Sequence, residues 1–183
     1  SGSVHLDMYH RVVMALHTMP KPTVAAIRGV AAGISCNIAL AADMRIIADN
    51  ACFIEAFARI GLVPDGGGAY FLPRLVGMGK ALELAMLAEE VNAEEAMRLG
   101  LANKCVPVAE FESATQAFAQ RLAHGPTQSY TLIKQLMHAS YESDLQTILK
   151  LEGEKQGQAM QTADHAEGVT AFMQKRPANY SGR

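Results

Sequence analysis

The chain has 183 residues, of which 50% are apolar and 19% charged, and a formal net charge of −2. That length and apolar share suit one well-buried domain, or most of a larger one, and exclude a disordered chain. The charges are spread out, with no Lys/Arg stripe and no interleaved aromatics, so nucleic acid is not an expected partner.

In chain order, residues 5–18 place Leu6, Tyr9, Val12, Val13 and Leu16 on helical spacing, and Pro20 and Pro22 stop that helix. Residues 23–27 form a short β-branched and apolar run that reads as a strand, and residues 28–33 read as a small-residue loop. Residues 34–42 follow as a helix whose polar positions are only Ser35 and Asn37, so it must be buried. Residues 44–48 and 51–53 read as strands separated by the turn pair Asp49-Asn50, and residues 62–68 form a second small-residue loop that opens another apolar helix. Residues 80–87 are helical in period. Asn92 with Glu95 makes a capping-box-like start to a helix that Gly100 ends. Residues 101–106 are the last strand, and 109–124, 127–140, 144–160 and 164–175 are amphipathic helices. The order predicts an α/β core, residues 1–108, followed by a helical region, residues 109–183, that covers it or reaches a neighbour.

Four short strands are few for so apolar a core. Cys36, Cys52 and Cys105 are odd in number, far apart and outside any C-x-x-C pair, which points away from disulfides and zinc and toward a reducing cytoplasm. Arg28, Asp43, Arg45 and Asp49 interrupt the apolar stretches, so no membrane-spanning helix is expected.

Two loops carry the candidate chemistry. The first, Gly29 to Ser35 with Ala31, Ala32, Gly33 and Ile34, leads with little side-chain bulk into a buried helix. Unpaired N–H groups and a positive dipole end suit such an entrance to holding an oxyanion; close strand-to-helix packing is the competing explanation. The second loop sets Asp65 between Leu62-Val63-Pro64 and three glycines. Its structural role would be a helix N-cap. Its chemical role would be proton transfer, because apolar surroundings disfavour the charged form of an aspartate. Glu55 is a second candidate carboxylate, or else an ion-pair partner of Arg59 one turn on. Residues 33–37 approach the nucleophile elbow G-x-S-x-G, with His124, His138 and His165 as possible bases, but Asn37 stands where the last glycine is required, leaving a serine hydrolase as a minor reading. Gly77-Met78-Gly79-Lys80 lacks phosphate-loop spacing, and the histidines have no metal-ligand spacing, so no metal is expected.

Taken together, the loops resemble a known family. Lys21 to Gly33 is similar to the K-P-x-[IV]-A-A-[IV]-x-G-x-[AC]-x-G segment of the crotonase (enoyl-CoA hydratase/isomerase) superfamily, and Ala41 to Ala48 to its A-x-D-x-x-[IV]-A strand. Gly61 to Gly77 resembles its G-x-x-P-x-x-G-G…L-P-R-x-x-G stretch, Glu95 to Ala102 its E-A-x-x-x-G-L-[AV] helix end, and Glu167 to Arg176 its E-G-x-x-A-F-x-x-K-R tail. The resemblance implies a ββα spiral core with a C-terminal helical layer. It also implies a homotrimer or hexamer, and an acyl-CoA thioester whose carbonyl is held by two backbone N–H groups.

By position, one of those groups is the N–H of Ile34, beside Gly33. The other comes from an upstream strand-loop of the type A-F-S-A-G-x-D, and that segment and the N-terminal strands of the core are expected to be missing from these 183 residues. The resemblance puts the two glutamates of the hydratases at Asn37 and Phe57, which can serve neither as base nor as water ligand, and so disfavours ordinary hydration. Asp65 falls where some family isomerases carry their carboxylate, and its surroundings look most like the phenylacetate-pathway isomerases acting on ring-epoxide or 3-enoyl thioesters. The expected activity is therefore isomerisation, with Asp65 as acid/base and Ala31, Ala32, Glu55, Phe57 and Leu62 on the substrate side. Lys175 and Arg176 would meet the CoA, or else form a solvated surface pair. No cofactor is expected, coenzyme A being part of the substrate. A hydratase using Glu55 and a non-catalytic acyl-CoA binder are the alternatives.

Overall fold

A computed structural model describes residues 2–183, with side chains from residue 6 onward. The chain divides into two compact units, one comprising the residues up to 19 and residues 23–116, the other residues 20–22 and 117–183.

In the first unit, helix α1 (Gly2–Thr18) precedes strands β1 (Val24–Ile27) and β2 (Val30–Ala32), helix α2 (Ile34–Leu40), and strands β3 (Met44–Ala48) and β4 (Cys52–Ile54). A 3-10 turn (Ala56–Ile60), helices α3 (Gly68–Val76) and α4 (Met78–Leu87), strand β5 (Val91–Asn92), helix α5 (Ala93–Leu99), strand β6 (Lys104–Val106) and the first residues of α6 (Phe111–Ala123) complete it. The strands form two three-stranded sheets, β1-β3-β6 and β2-β4-β5. Consecutive strands β1 and β2, then β3 and β4, go to different sheets. All pairings are parallel except that of β4 with β5. Two strands and a helix therefore repeat as a unit, as the ββα expectation requires.

Central placement explains why β3 reads as an unbroken apolar run: Ile46, Ile47 and Ala48 have no exposure, as befits the middle strand of a parallel sheet covered on both faces. Its register is latched at its start. Asp43 Oδ2 accepts from the Thr23 N–H (2.8 Å) and hydroxyl (2.9 Å), and the Asp43 N–H donates to Thr23 Oγ1 at 3.0 Å. Buried Arg45 then donates to the carbonyls of Leu101 and Ala42, both at 2.6 Å. Ile27, Leu40, Ile47, Phe53, Leu72 and Leu101 form the centre of the core.

The sequence reading needs correction at two points. Residues 30–32 are a strand rather than part of a loop. Gly29, at φ 89, makes the turn between β1 and β2, and β2 is bound in parallel register to β4. Asp49-Asn50 is the turn between β3 and β4 as read, and those two strands go to different sheets. The two-residue β5 also escapes the pattern. Asn92, by contrast, caps α5 as read, accepting from the Glu95 N–H at 2.9 Å, and Gly100 ends that helix at φ 78. The Glu95 carboxylate turns to Arg98 instead of back to the cap.

The second unit holds the end of α6 and helices α7 (Thr127–Ala139), α8 (Leu145–Met160) and α9 (Ala163–Met173). Asp144 caps α8 through the Thr147 N–H and Thr162 caps α9 through the His165 N–H. The last residues fold back on α9. Buried Asp164 accepts from the N–H groups of Ser181 (2.7 Å) and Gly182 (2.9 Å), and Glu167 holds Arg176 at 2.7 and 2.9 Å. No described helix is long and apolar enough to cross a membrane.

Candidate active site

The two loops singled out in the sequence meet at the entrance of α2. Gly33 adopts φ 56, ψ −124, a conformation closed to side-chain-bearing residues, and this turns the chain from β2 into the helix. Space is not the constraint there, since a Cβ on Gly33 would meet the Phe57 ring at an ordinary 3.7 Å. The N–H groups at this turn are mostly spoken for. Ala32 donates to Ser35 Oγ at 2.9 Å and Gly33 to the Ile54 carbonyl at 2.8 Å. Gly33, beside the expected donor Ile34, is thus the residue that shapes the turn, its own N–H being given to Ile54. The N–H of Ile34, first in α2, has no carbonyl within the helix to receive it.

The Asp65 loop is seated on this entrance. A Cβ on Gly66 would fall 2.3 Å from Ile34 Cδ1, and one on Gly68 would fall 2.3 Å from Asn37 Nδ2, so the loop backbone lies directly against α2. Asn37 fastens it, donating from Nδ2 to the Asp65 carbonyl at 2.8 Å. The cap of α3 is Gly67, without a side-chain bond, so Asp65 is not the N-cap that its place in the sequence allowed. One carboxylate oxygen of Asp65, Oδ1, is buried and has no hydrogen-bond donor; Asn37 Oδ1 is in the same condition.

Glu55 lies at the end of β4 and is only 3% exposed. Its oxygens are approached by Cys36 Sγ at 3.6 Å and Asn37 Nδ2 at 3.5 Å. Burial pushes its carboxyl above the usual glutamate range. The two donors oppose that rise and the Asp65 charge adds to it. The expected partnership with Arg59 is overturned, because that guanidinium donates to the Ala88 carbonyl at 3.1 and 2.5 Å. Phe57 is buried with its ring over Gly33, and Ala31 is buried in β2, while Ala32 is half-buried beside it. Leu62, with Ile60 and Val63, is an exposed apolar residue on the approach to Asp65.

Ser35 is no hydrolase nucleophile: its hydroxyl accepts from the Ala32 N–H and donates to the Ala32 carbonyl, both at 2.9 Å. Lys175 and Arg176 belong to the second unit, where both are exposed and Arg176 is already held by Glu167. Sequence reasoning missed the fastening role of Asn37. The burial of Glu55 did leave a signal, as it is the single charge in the apolar run of residues 51–58.

Comparison with known proteins bears on what this site does. Residues 5–183 match the family described as enoyl-CoA hydratase/isomerase. The chain is 45% identical over 177 residues to a Rhodobacter capsulatus protein named "Probable enoyl-CoA hydratase", covering 97% of this chain and 69% of that one. It is 38% identical over 175 residues to the 1,2-epoxyphenylacetyl-CoA isomerase of Escherichia coli, covering 96% and 67%. The crystal structure of an enoyl-CoA hydratase from Bacillus anthracis superimposes with a TM-score of 0.93 at 31% identity, over 100% of this chain and 72% of that one.

Proposed function

Because the chain belongs to the enoyl-CoA hydratase/isomerase family, we propose that its site acts on an acyl-CoA thioester as an isomerase, with Asp65 as the acid/base. The observation that carries this reading is Asp65 Oδ1, a buried acceptor with no donor, in a loop seated on the helix entrance at Ile34. In the step proposed, the α C–H bond of a 3-enoyl thioester breaks and its proton passes to Asp65. The electron pair moves into the thioester, whose oxygen becomes negative beside the Ile34 N–H. Return of the proton at the γ carbon shifts the double bond into conjugation. The same enolate chemistry extends to a ring epoxide borne on the carbon β to the thioester carbonyl, whose C–O bond breaks as the enolate pair forms the α,β double bond and whose oxygen takes up the proton, in keeping with the E. coli relative's name.

A single carboxylate suffices for that step. Asn37 is committed to the Asp65 carbonyl and Phe57 presents an apolar ring, and neither can ready a water molecule. A hydratase that uses Glu55 is the second reading, favoured by the R. capsulatus relative's name and by the burial of that carboxyl. The acyl group would lie against Phe57 and the apolar residues at 60–63. The helical region would supply the contacts of a homotrimer or hexamer, for which the exposed Phe172 and Met173 of α9 are suited. The cytoplasm, where CoA thioesters are handled, is the proposed location.

Absorbance of the conjugated 2-enoyl thioester separates the readings. An isomerase raises it from a 3-enoyl-CoA, and a hydratase lowers it from a 2-enoyl-CoA. Binding of both thioesters with neither change would leave a non-catalytic binder and overturn the proposal.

A further inference from the structure

Three glycines follow Asp65, and each is closed against a side chain from another part of the unit. A Cβ on Gly66 would meet Ile34 Cδ1 of α2 at 2.3 Å, and one on Gly67 would meet the Phe71 ring of α3 at 2.7 Å and Val13 Cγ1 of α1 at 3.3 Å. Val13 is buried although Leu6, Met8, Val12 and Met14 of the same helix are exposed. Contacts between carbon atoms set how far the loop stands off but are non-directional, so they leave it able to turn or slide. Direction comes from hydrogen bonds. Asn37 Nδ2 donates to the Asp65 main-chain carbonyl at 2.8 Å, and the Gly68 N–H donates to the same oxygen at 3.0 Å. Asn37 is itself poorly served: it has no exposure, its Oδ1 has no donor, and the carboxylate nearest its Nδ2, that of Glu55, stands off at 3.5 Å. An apolar side chain of the same outline would avoid the cost of that orphaned oxygen, so what the amide contributes here is its grip on Asp65.

Resting on the acid/base role given to Asp65, we propose that Asn37 is a positioning residue: it fixes the Asp65 backbone against the entrance of α2, so that the carboxylate works from one place relative to the Ile34 N–H. With no exposed surface Asn37 cannot meet the thioester, and it reaches the reaction through the main chain of Asp65. Its loss therefore acts on the chemical step and not on binding. A reacting group misplaced by about 1 Å loses about 10²-fold in rate.

Asn37→Leu keeps the branched outline of the side chain and removes both the donor and the orphaned oxygen. Asn37→Ser, which is shorter and cannot press on Gly68, serves if the leucine fails to fold. In the isomerase assay kcat should fall by about 10²-fold with KM held. A purely structural role would lower the folded fraction and leave both constants of the folded molecules unchanged. An unchanged kcat in a folded variant overturns the inference, as does a KM that rises as far as kcat falls. Hydrogen exchange in the intact protein reads the same contact without turnover: protection of residues 66–68, relative to the intrinsic amide rate, should fall in either variant while that of β3 holds. Unmoved protection overturns the inference whatever kcat does. Loss of protection combined with a wild type that turns over no thioester would sink the isomerase reading and leave the fastening by Asn37 standing. Wild-type turnover combined with unmoved protection would do the reverse.

Discussion

Gly68→Ala tests whether the Asp65 loop is held as closely to α2 as the geometry requires. The added methyl would lie 2.3 Å from Asn37 Nδ2 and 2.6 Å from its Cγ and Oδ1, and Asn37 has no exposed surface into which to retreat. Overpacking of this kind costs about 1–3 kcal/mol. Displacing the amide also loses its bond to the Asp65 carbonyl, about 1 kcal/mol more. Against this stands a gain of about 0.4–1 kcal/mol from a stiffer unfolded chain, since Gly68 has an ordinary φ. The net expectation is a loss of about 2 kcal/mol, seen in thermal unfolding as a fall in Tm of about 4–8 °C. Gly79→Ala is the control: it too lies in a helix at ordinary φ, but its Cβ would meet nothing within 4 Å, so it should hold or raise Tm. If Gly68→Ala unfolded at or above the wild-type temperature, the close contact between loop and helix would be refuted.

Arg45→Leu should be more damaging, because it strips the donor from the buried carbonyls of Leu101 and Ala42; at about 1–3 kcal/mol for each orphaned acceptor, denaturant unfolding should show a loss of about 2–6 kcal/mol. The clasp between Glu167 and Arg176 predicts an acid dependence. The guanidinium and the Asn179 N–H hold the Glu167 carboxyl down at about 2, so its contribution is present above the ordinary glutamate value and is lost as pH falls through about 2. Protection from hydrogen exchange at residues 176–183, taken relative to the intrinsic amide rate at each pH, should fall over that window, and Glu167→Gln should show low protection at every pH. Wild-type protection that stayed constant through the window would contradict it.

Most of the architecture is legible in local pattern. The buried α2 follows from an apolar run with two polar positions, and the ends of α5 from Asn92 and Gly100. Strand β2 is hidden because Val30-Ala31-Ala32, bounded by glycines, carries no β-specific signal; only its pairing with β4 makes it a strand. At the site, Asp65 stands out through its small-residue loop. Its hold by Asn37 does not, because the two lie 28 residues apart and only the folded chain brings that amide to the Asp65 carbonyl. The standing of the Ile34 N–H, which has no acceptor within its own helix, likewise emerges only when the partners of Ala32 and Gly33 are seen.

The central claim, that Asp65 moves the α proton of a bound thioester, is met most directly by isotope exchange. In deuterated water the wild-type protein should place deuterium at the α carbon of an acyl-CoA, and Asp65→Asn should slow this by about 10²- to 10⁴-fold while still binding the thioester. Equal exchange by the two proteins would contradict the account.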